Sequence, residues 1–159
     1  MKQKKRSFLF DRMLGKLCVK MRLVGYDAAL NPEGESGRFL LNAAKEGRCA
    51  VTRARNMGDR PGPKPVILIS DDVNEQIVEL FAATGDTPGF EPFTRCLECN
   101  ALLIEEPEEA VKGEVPPHVE KSFHRFHRCP SCRRIYWEGS HFQAMSKEIK
   151  EIAAKLKRR

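Results

Sequence analysis

The sequence predicts an α/β domain with a parallel sheet and flanking helices, joined to a small four-cysteine appendage and a basic C-terminal helix. Three observations carry this reading. Short apolar strands alternate with amphipathic helical segments over residues 1–90, the pattern of a parallel sheet with right-handed crossovers. Two tight cysteine pairs follow, Cys96-Leu97-Glu98-Cys99 and Cys129-Pro130-Ser131-Cys132, within residues 91–142. Over residues 143–159, Met145, Ile149, Ile152 and Leu156 then recur at helical spacing on a basic tail.

Taken in order, residues 7–10 read as a short strand. Asp11 leads into a helix over 12–23, where Leu14, Leu17, Cys18 and Met21 share a face. Gly25 stops that helix. Residues 26–30 form a second strand before the turn Asn31-Pro32-Glu33-Gly34. Ser36 is placed to cap a helix with Phe39, Leu40, Ala43 and Ala44 inward and Gly47 as terminator. Strand resumes over 49–52, and the polar, Pro- and Gly-rich stretch 53–64 is a loop. Pro65-Val66-Ile67-Leu68-Ile69-Ser70 reads as a strand buried on both faces. Asp71 and Asp72 begin the next helix, with Val73, Ile77, Leu80 and Phe81 inward, and the domain closes near Gly89. Farther on, Ser140-His141-Phe142-Gln143 has the spacing of a capping box.

The cysteine spacing lets two thiolates from each turn converge tetrahedrally on one ion, with knuckle N–H groups aimed at the sulfurs. Two such knuckles make a zinc ribbon, so Cys96, Cys99, Cys129 and Cys132 are expected to hold a structural Zn²⁺. Residues 100–128 between the pairs exceed the usual spacing. They carry Glu105-Glu106-Pro107-Glu108-Glu109 and Pro116-Pro117 and read as an exposed excursion. Disulfides are the first competing reading, disfavoured by a cytosolic setting. A redox dithiol is the second, and it needs one pair beside a βαβ unit rather than two. Cys18 and Cys49 lie in apolar runs and read as buried small hydrophobes. His124, His127 and His141 are further candidate ligands, but four cysteines already fill a tetrahedron, and His141 suits the start of the final helix.

Lysine plus arginine number 28 against 22 acids, a net charge of +6, with a pI near 9.1. This balance fits a polyanion partner. Lys2, Lys4, Lys5 and Arg6 open the chain, Arg125, Arg128, Arg133 and Arg134 surround the second cysteine pair, and Lys155, Lys157, Arg158 and Arg159 close it. No apolar run approaches membrane-spanning length, so no membrane partner is expected. The basic start without a signal-peptide pattern reads as cytoplasmic. On the ribbon surface, His124, Phe126, His127, Arg128, Arg133, Arg134, Tyr136 and Trp137 are expected to form a basic, aromatic mixture able to stack on unpaired bases. So small a ribbon also needs Trp137 for its own packing.

In open parallel sheets, function collects beyond the carboxyl ends of the strands. Asp11 lies there after the first strand, and Asp71 and Asp72 after the last. Convergent carboxylates at such an edge can hold Mg²⁺ or Mn²⁺ for phosphodiester hydrolysis. The same residues are also natural helix N-caps. Lys20, Arg22, Arg53 and Arg55 lie where they can contact phosphates, or form ordinary solvated charge.

The run Phe8-Leu9-Phe10-Asp11-Arg12-Met13-Leu14-Gly15-Lys16-Leu17, then Met21-Arg22-Leu23-Val24-Gly25-Tyr26-Asp27, Glu46-Gly47-Arg48 and Thr52-Arg53 resembles the Mut-seven C-terminal RNase domain family. The second half, with Arg95-Cys96-Leu97-Glu98-Cys99-Asn100, Cys129-Pro130-Ser131-Cys132, Ile135-Tyr136-Trp137 and Gly139-Ser140-His141, resembles its zinc-ribbon segment. The resemblance implies a PIN-like α/β nuclease fold and a metal-dependent ribonuclease using clustered acids with Mg²⁺ or Mn²⁺. Asp11 matches the family's first acid. The second falls at Ser36, with Glu35 one residue earlier as a stand-in. The family's Thr-Arg-Asp motif is Thr52-Arg53-Ala54 here, and Ala54 cannot bind a metal. Asp59, Asn56, Asp71 and Asp72 are the nearby substitutes.

Three functional readings follow. One is an RNA-cleaving enzyme anchored on Asp11, assisted by Glu35 and Asp71 or Asp72. The second is an RNA-binding module, using Lys20, Arg22, Arg53, Arg55, Arg133 and Arg134, whose chemistry was lost with the acid at position 54. The third is an adaptor that docks a protein partner through the ribbon and the basic helix, and the resemblance adds the homodimers that PIN-like domains often form.

Overall fold

Phe8, Leu9 and Phe10 form strand β1 (Phe8–Phe10), and all three side chains are fully buried. Alternation along a strand sends Phe8 and Phe10 to one face and Leu9 to the other, and each face meets its own core. The computed structural model describes residues 4–86 and 88–158. In it β1 lies inside a four-stranded sheet of order β2-β1-β3-β4, with β2 (Ala28–Leu30), β3 (Cys49–Thr52) and β4 (Val66–Ile67) all parallel.

Helices α1 (Gly15–Leu23) and α3 (Val73–Thr84) cover the Phe8/Phe10 face, joined by α6 (Ser140–Lys157). Helix α2 (Phe39–Glu46) covers the other, where Leu9, Phe39, Ala43 and Ala50 meet. The face predicted for the first helix is the one that packs: Leu14, Leu17, Cys18 and Met21 are all buried. Arg12–Leu14 forms a 3-10 turn before α1.

Three local expectations need correction. Ser36 does not cap α2; it lies in a 3-10 turn, Ser36–Arg38, and the helix begins at Phe39 with no side-chain cap, leaving Ala44 exposed. Residues 65–70 do not form a strand buried on both faces. β4 is a two-residue edge strand, and Ile69 is 70% exposed. The ladder stops because the Glu79 carboxylate accepts from the Ile69 and Ser70 N–H groups at 2.8 and 3.0 Å, satisfying donors that a further strand residue would have paired. Nor do Ser140 and Gln143 make a capping box. Gly139 is the N-cap residue, and Ser140 is already helical.

The appendage is a three-stranded antiparallel sheet, β5-β6-β7, formed by Ile104–Glu106, Phe126–Arg128 and Ile135–Trp137. The predicted exposed excursion is instead partly folded. It contains α4 (Glu108–Val111) and α5 (Pro117–Ser122), and Val111, Val115, Val119 and Phe126 form a core of their own, with Phe123, Ile135 and Trp137 packed against it. Valines spaced among glutamates give this small core little sequence signal. Arg128, 5% exposed, pins the excursion to β6 through Glu114 at 2.6 Å and the Ala110 carbonyl at 3.2 Å.

Met145, Ile149, Ile152 and Leu156 of α6 pack into the α/β core, so the terminal helix returns from the ribbon to the first cluster. Lys155 reaches Glu75 of α3 at 2.6 Å, and Lys20 of α1 pairs with Glu148. Among the described residues, no helix is long and apolar enough to cross a membrane.

The connection from the sheet to the ribbon runs against the end of α1, where Glu91 N–H donates to Val24 O at 3.0 Å and Phe93 N–H to Leu23 O at 3.2 Å. Gly25 permits this approach with φ +91°; a Cβ there would lie 2.8 Å from the Glu91 carbonyl carbon and nearer still to its oxygen. Gly25→Ala is therefore expected to cost about 2 kcal/mol or more in stability. Urea unfolding of the full chain checks it, and an unchanged midpoint would remove the proposed constraint.

Candidate metal centre and sheet-edge site

Each cysteine pair is built the same way. Cys96 N–H donates to Ala101 O at 2.8 Å and Cys129 N–H to Arg134 O at 2.9 Å, while Asn100 N–H and Arg133 N–H return to the Cys96 and Cys129 carbonyls. Both turns close on a left-handed residue, Asn100 at φ 68° and Arg133 at φ 67°. The Cys99 and Cys132 N–H groups point at the Cys96 and Cys129 sulfurs, each at 3.4 Å. All four sulfurs lie within 4.8 Å of one another.

A tetrahedral ion with metal–sulfur bonds of about 2.3 Å holds its sulfurs about 3.8 Å apart. Cys96 and Cys132 are 3.7 Å apart, far beyond disulfide bonding. The donor set and its spacing therefore fit zinc. Burial works against a Cys96 thiolate, but the Tyr136 hydroxyl at 3.2 Å and the knuckle N–H groups outweigh it and bring that thiol down to about 7.

The first knuckle is clasped to the α/β body. Arg22 of α1 donates from Nε to Ala28 O at 2.7 Å and from Nη1 to Leu97 O and Glu98 O at 2.7 and 2.9 Å. Asn100 accepts from Ala28 N–H at 3.1 Å and donates to Asp27 at 2.6 Å. Asp27 also receives Arg48 at 2.6 Å. Burial would raise the Asp27 carboxyl, but Arg48 and Asn100 hold it below its ordinary value.

The second site lies at the carboxyl ends of the strands. Asn31 N–H donates to Phe10 O and Asp11 N–H to Val51 O, which sets Asn31, Asp11 and Thr52 side by side. Asp11 accepts from Met13 N–H at 2.9 Å, capping the 3-10 turn, and from the Thr52 hydroxyl. Thr52 Oγ1 in turn accepts from Ala54 N–H at 3.0 Å. The buried Asn31 amide donates to Glu35 O at 3.0 Å, and Asn42 bridges Asn31 Oδ1 and the Glu35 carboxylate at 3.0 and 2.8 Å.

The remaining acids are differently engaged. Asp72 caps α3 by accepting from Glu75 N–H at 2.9 Å. Asp71 pairs with Arg53. Asp59 and Asn56 sit in the exposed 3-10 turn Arg55–Asp59. Among the described residues, the four cysteines form the group of three or more candidate metal ligands that is gathered; Asp11, Glu35, Asp71 and Asp72 do not form another. Where the third acid is expected, Ala54 lines a cavity of about 290 Å³ with Met13, Arg53, Arg55, Leu68 and Ile69.

Of the basic residues singled out from sequence, Lys20 is paired with Glu148 and Arg22 with carbonyls. Arg53 and Arg55 border the Ala54 cavity. Arg133 and Arg134 are exposed on the second knuckle, the latter 3.9 Å from Glu98. Sequence reasoning missed Asn31, Asn42 and the clasp made by Arg22 and Asn100. The one local signal was for Asn31 and Asn100, each just after a structured stretch where its side chain can bond backbone; Asn42, inside α2, gave none.

A family model described as Mut7-C RNAse domain matches residues 6–149. No curated protein and no solved structure matches the chain.

Purified protein is expected to carry one zinc per chain by elemental analysis, lost in the double variant Cys96→Ser/Cys129→Ser. Chelation should melt the ribbon before the α/β core. Folded, zinc-free wild-type protein would overturn the assignment.

Proposed function

This chain belongs to the Mut7-C RNAse domain family, and from that membership we propose that it acts on RNA as a metal-dependent nuclease of the PIN-like class. The observation that carries the proposal is Asp11, fixed by Thr52 at the carboxyl end of the central strand and joined through Ala54 to a cleft bordered by Arg53 and Arg55.

Asp11 and Glu35 would hold Mg²⁺ or Mn²⁺. Such an ion typically needs only one or two carboxylates when substrate phosphate supplies the rest, and that small requirement is what supports assigning it to these two acids. When bound, the metal would polarise a water and stabilise the negative charge developing on the phosphate oxygens. The chain's own residues do the positioning. Thr52 donates to Oδ2 of Asp11 and fixes its carboxylate plane, and Asn42 does the same for Glu35. Arg53 and Arg55 offer guanidinium donors to the RNA backbone, and exposed Arg133 and Arg134 on the zinc ribbon extend that contact.

A second reading, RNA binding without cleavage, is favoured by one observation: a methyl group stands at position 54 while Asp71 and Asp72 are committed to Arg53 and to the α3 cap. A missing carboxylate removes both a ligand and negative charge from a cation site.

Labelled single-stranded and structured RNAs incubated with Mn²⁺ or Mg²⁺ separate the two. The nuclease reading expects products that fall by about 100-fold or more with Asp11→Asn and rise with Ala54→Asp. Wild-type protein that binds but yields no products, with cleavage gained only in Ala54→Asp, would replace it with the binding reading.

A further inference from the structure

The cavity of about 290 Å³ at the sheet edge is walled by Met13, Ala54, Leu68 and Ile69 and bordered by Arg53 and Arg55. We propose that it receives one unpaired base of the RNA, with the adjoining phosphate on Arg55, so that the methyl group at position 54 makes the edge selective for single strands over duplex. The inference rests on the RNA reading above and adds to it a specificity that a metal ion would not supply.

Met13 and Ile69 are the two most exposed large hydrophobic residues among those described, at 78% and 70%. Apolar residues scattered singly over a surface need no explanation, but these two line one cavity. Each is also tied there by a polar contact. Met13 N–H donates to the Asp11 carboxylate at 2.9 Å, which anchors it to the corner that carries the candidate acid. Ile69 N–H donates to Glu79 at 2.8 Å, and β4 stops short of it. The apolar rim is thus built by the same contacts that shape the edge.

The volume falls near the lower limit for small-ligand pockets, the scale of one flat group rather than a whole drug-sized ligand. A base has an apolar π-face that packs well on a thioether, and every base has one, so the contact tolerates any sequence. A carboxylate at position 54 would bring charge and its water into this space, and a methyl group brings neither. Bases inside an A-form duplex are paired and stacked, so only an unpaired nucleotide can enter.

The cations at the border are not equivalent. Arg53 is neutralised by Asp71 and donates to Ile69 O at 3.4 Å. Arg55 is exposed and has no ion pair among the described residues. Its guanidinium is therefore the one left to grip the phosphate beside an inserted base.

Zinc-loaded full-length protein is titrated, without added Mg²⁺ or Mn²⁺, into a fluorescently labelled short single-stranded RNA and into a blunt duplex of the same sequence, with anisotropy as the readout. The single strand is expected to bind about tenfold more tightly. Ala54→Leu fills the cavity and should weaken the single strand by about tenfold while leaving the duplex unchanged. Met13→Ser, at an exposed position that the fold does not depend on, should weaken the single strand by about threefold. Arg55→Gln should weaken both and lower the salt slope by about one.

Undetectable binding of the single strand, equal affinity for strand and duplex, or curves unaltered by both Ala54→Leu and Met13→Ser would overturn the pocket. Strand-selective binding that Ala54→Leu abolishes, in a protein that yields no products with Mn²⁺, would uphold the pocket and sink the nuclease reading. Cleavage of strand and duplex alike, unchanged in both variants, would do the reverse.

Discussion

Burial of β1 on both faces and along both edges governs this fold. Phe8 and Phe10 need a helical layer on one side and Leu9 needs one on the other, and the chain supplies α1, α3 and α6 for the first and α2 for the second. A parallel strand in the middle of a sheet must also have its backbone groups paired on both edges, which β2 and β3 do in register. The register then decides the chemistry. With Phe10 opposite both Leu30 and Val51, the next residues out, Asp11, Asn31 and Thr52, have no freedom to be anywhere but side by side. An apolar requirement thus fixes the position of a polar site.

The ribbon depends on a different constraint. Its valine and aromatic core is small, and units of this size generally need a staple. Four sulfurs supply one, but only relative to each other. What orients the ribbon on the sheet is Arg22, whose planar fork joins the β2 carbonyl of Ala28 to the knuckle carbonyls of Leu97 and Glu98. Asn100 completes the connection by bonding Ala28 N–H and Asp27. Helix α6 then carries the chain from the ribbon back onto the first cluster. Metal and core are mechanically linked at both ends of the appendage.

These constraints explain what was legible in the sequence. Helical spacing revealed α1 and α3 because each buries one defined face, short continuous apolar runs revealed β1 and β3 because both lie inside the sheet, and paired cysteines revealed the ribbon because ligand spacing is local. The run Pro65-Val66-Ile67-Leu68-Ile69-Ser70 misled, since its composition cannot say that Glu79, ten residues past Ile69, takes over the backbone donors. The excursion between the cysteine pairs misled for the opposite reason. Its glutamates dominate the composition, while Val111, Val115 and Val119 pack inward from separate turns and helices. Arg22 read as a phosphate contact because a sequence displays charge and not the carbonyls that will surround it. Ser36 and Ser140 read as caps because a cap depends on which residue first turns helical, a boundary set by tertiary packing.

At the sheet edge, charge is divided rather than pooled. Asp11 and Glu35 keep negative potential on the β1 and β2 side, whereas Arg53 and Arg55 border the cavity where an acid is expected, with Asp71 compensating only the first of them. A site of clustered carboxylates attracts a divalent cation before substrate arrives. With a methyl group at position 54, less of that attraction is preformed, and the guanidinium groups favour phosphate instead. On the nuclease reading, RNA itself would contribute the missing anionic ligand, making metal and RNA binding mutually dependent. On the binding reading, the same exchange of charge strengthens the hold on RNA while leaving the scissile phosphate without its catalyst. On either reading, a methyl group in place of a carboxylate at position 54 would move the edge from metal affinity toward phosphate affinity without disturbing the strand that positions it.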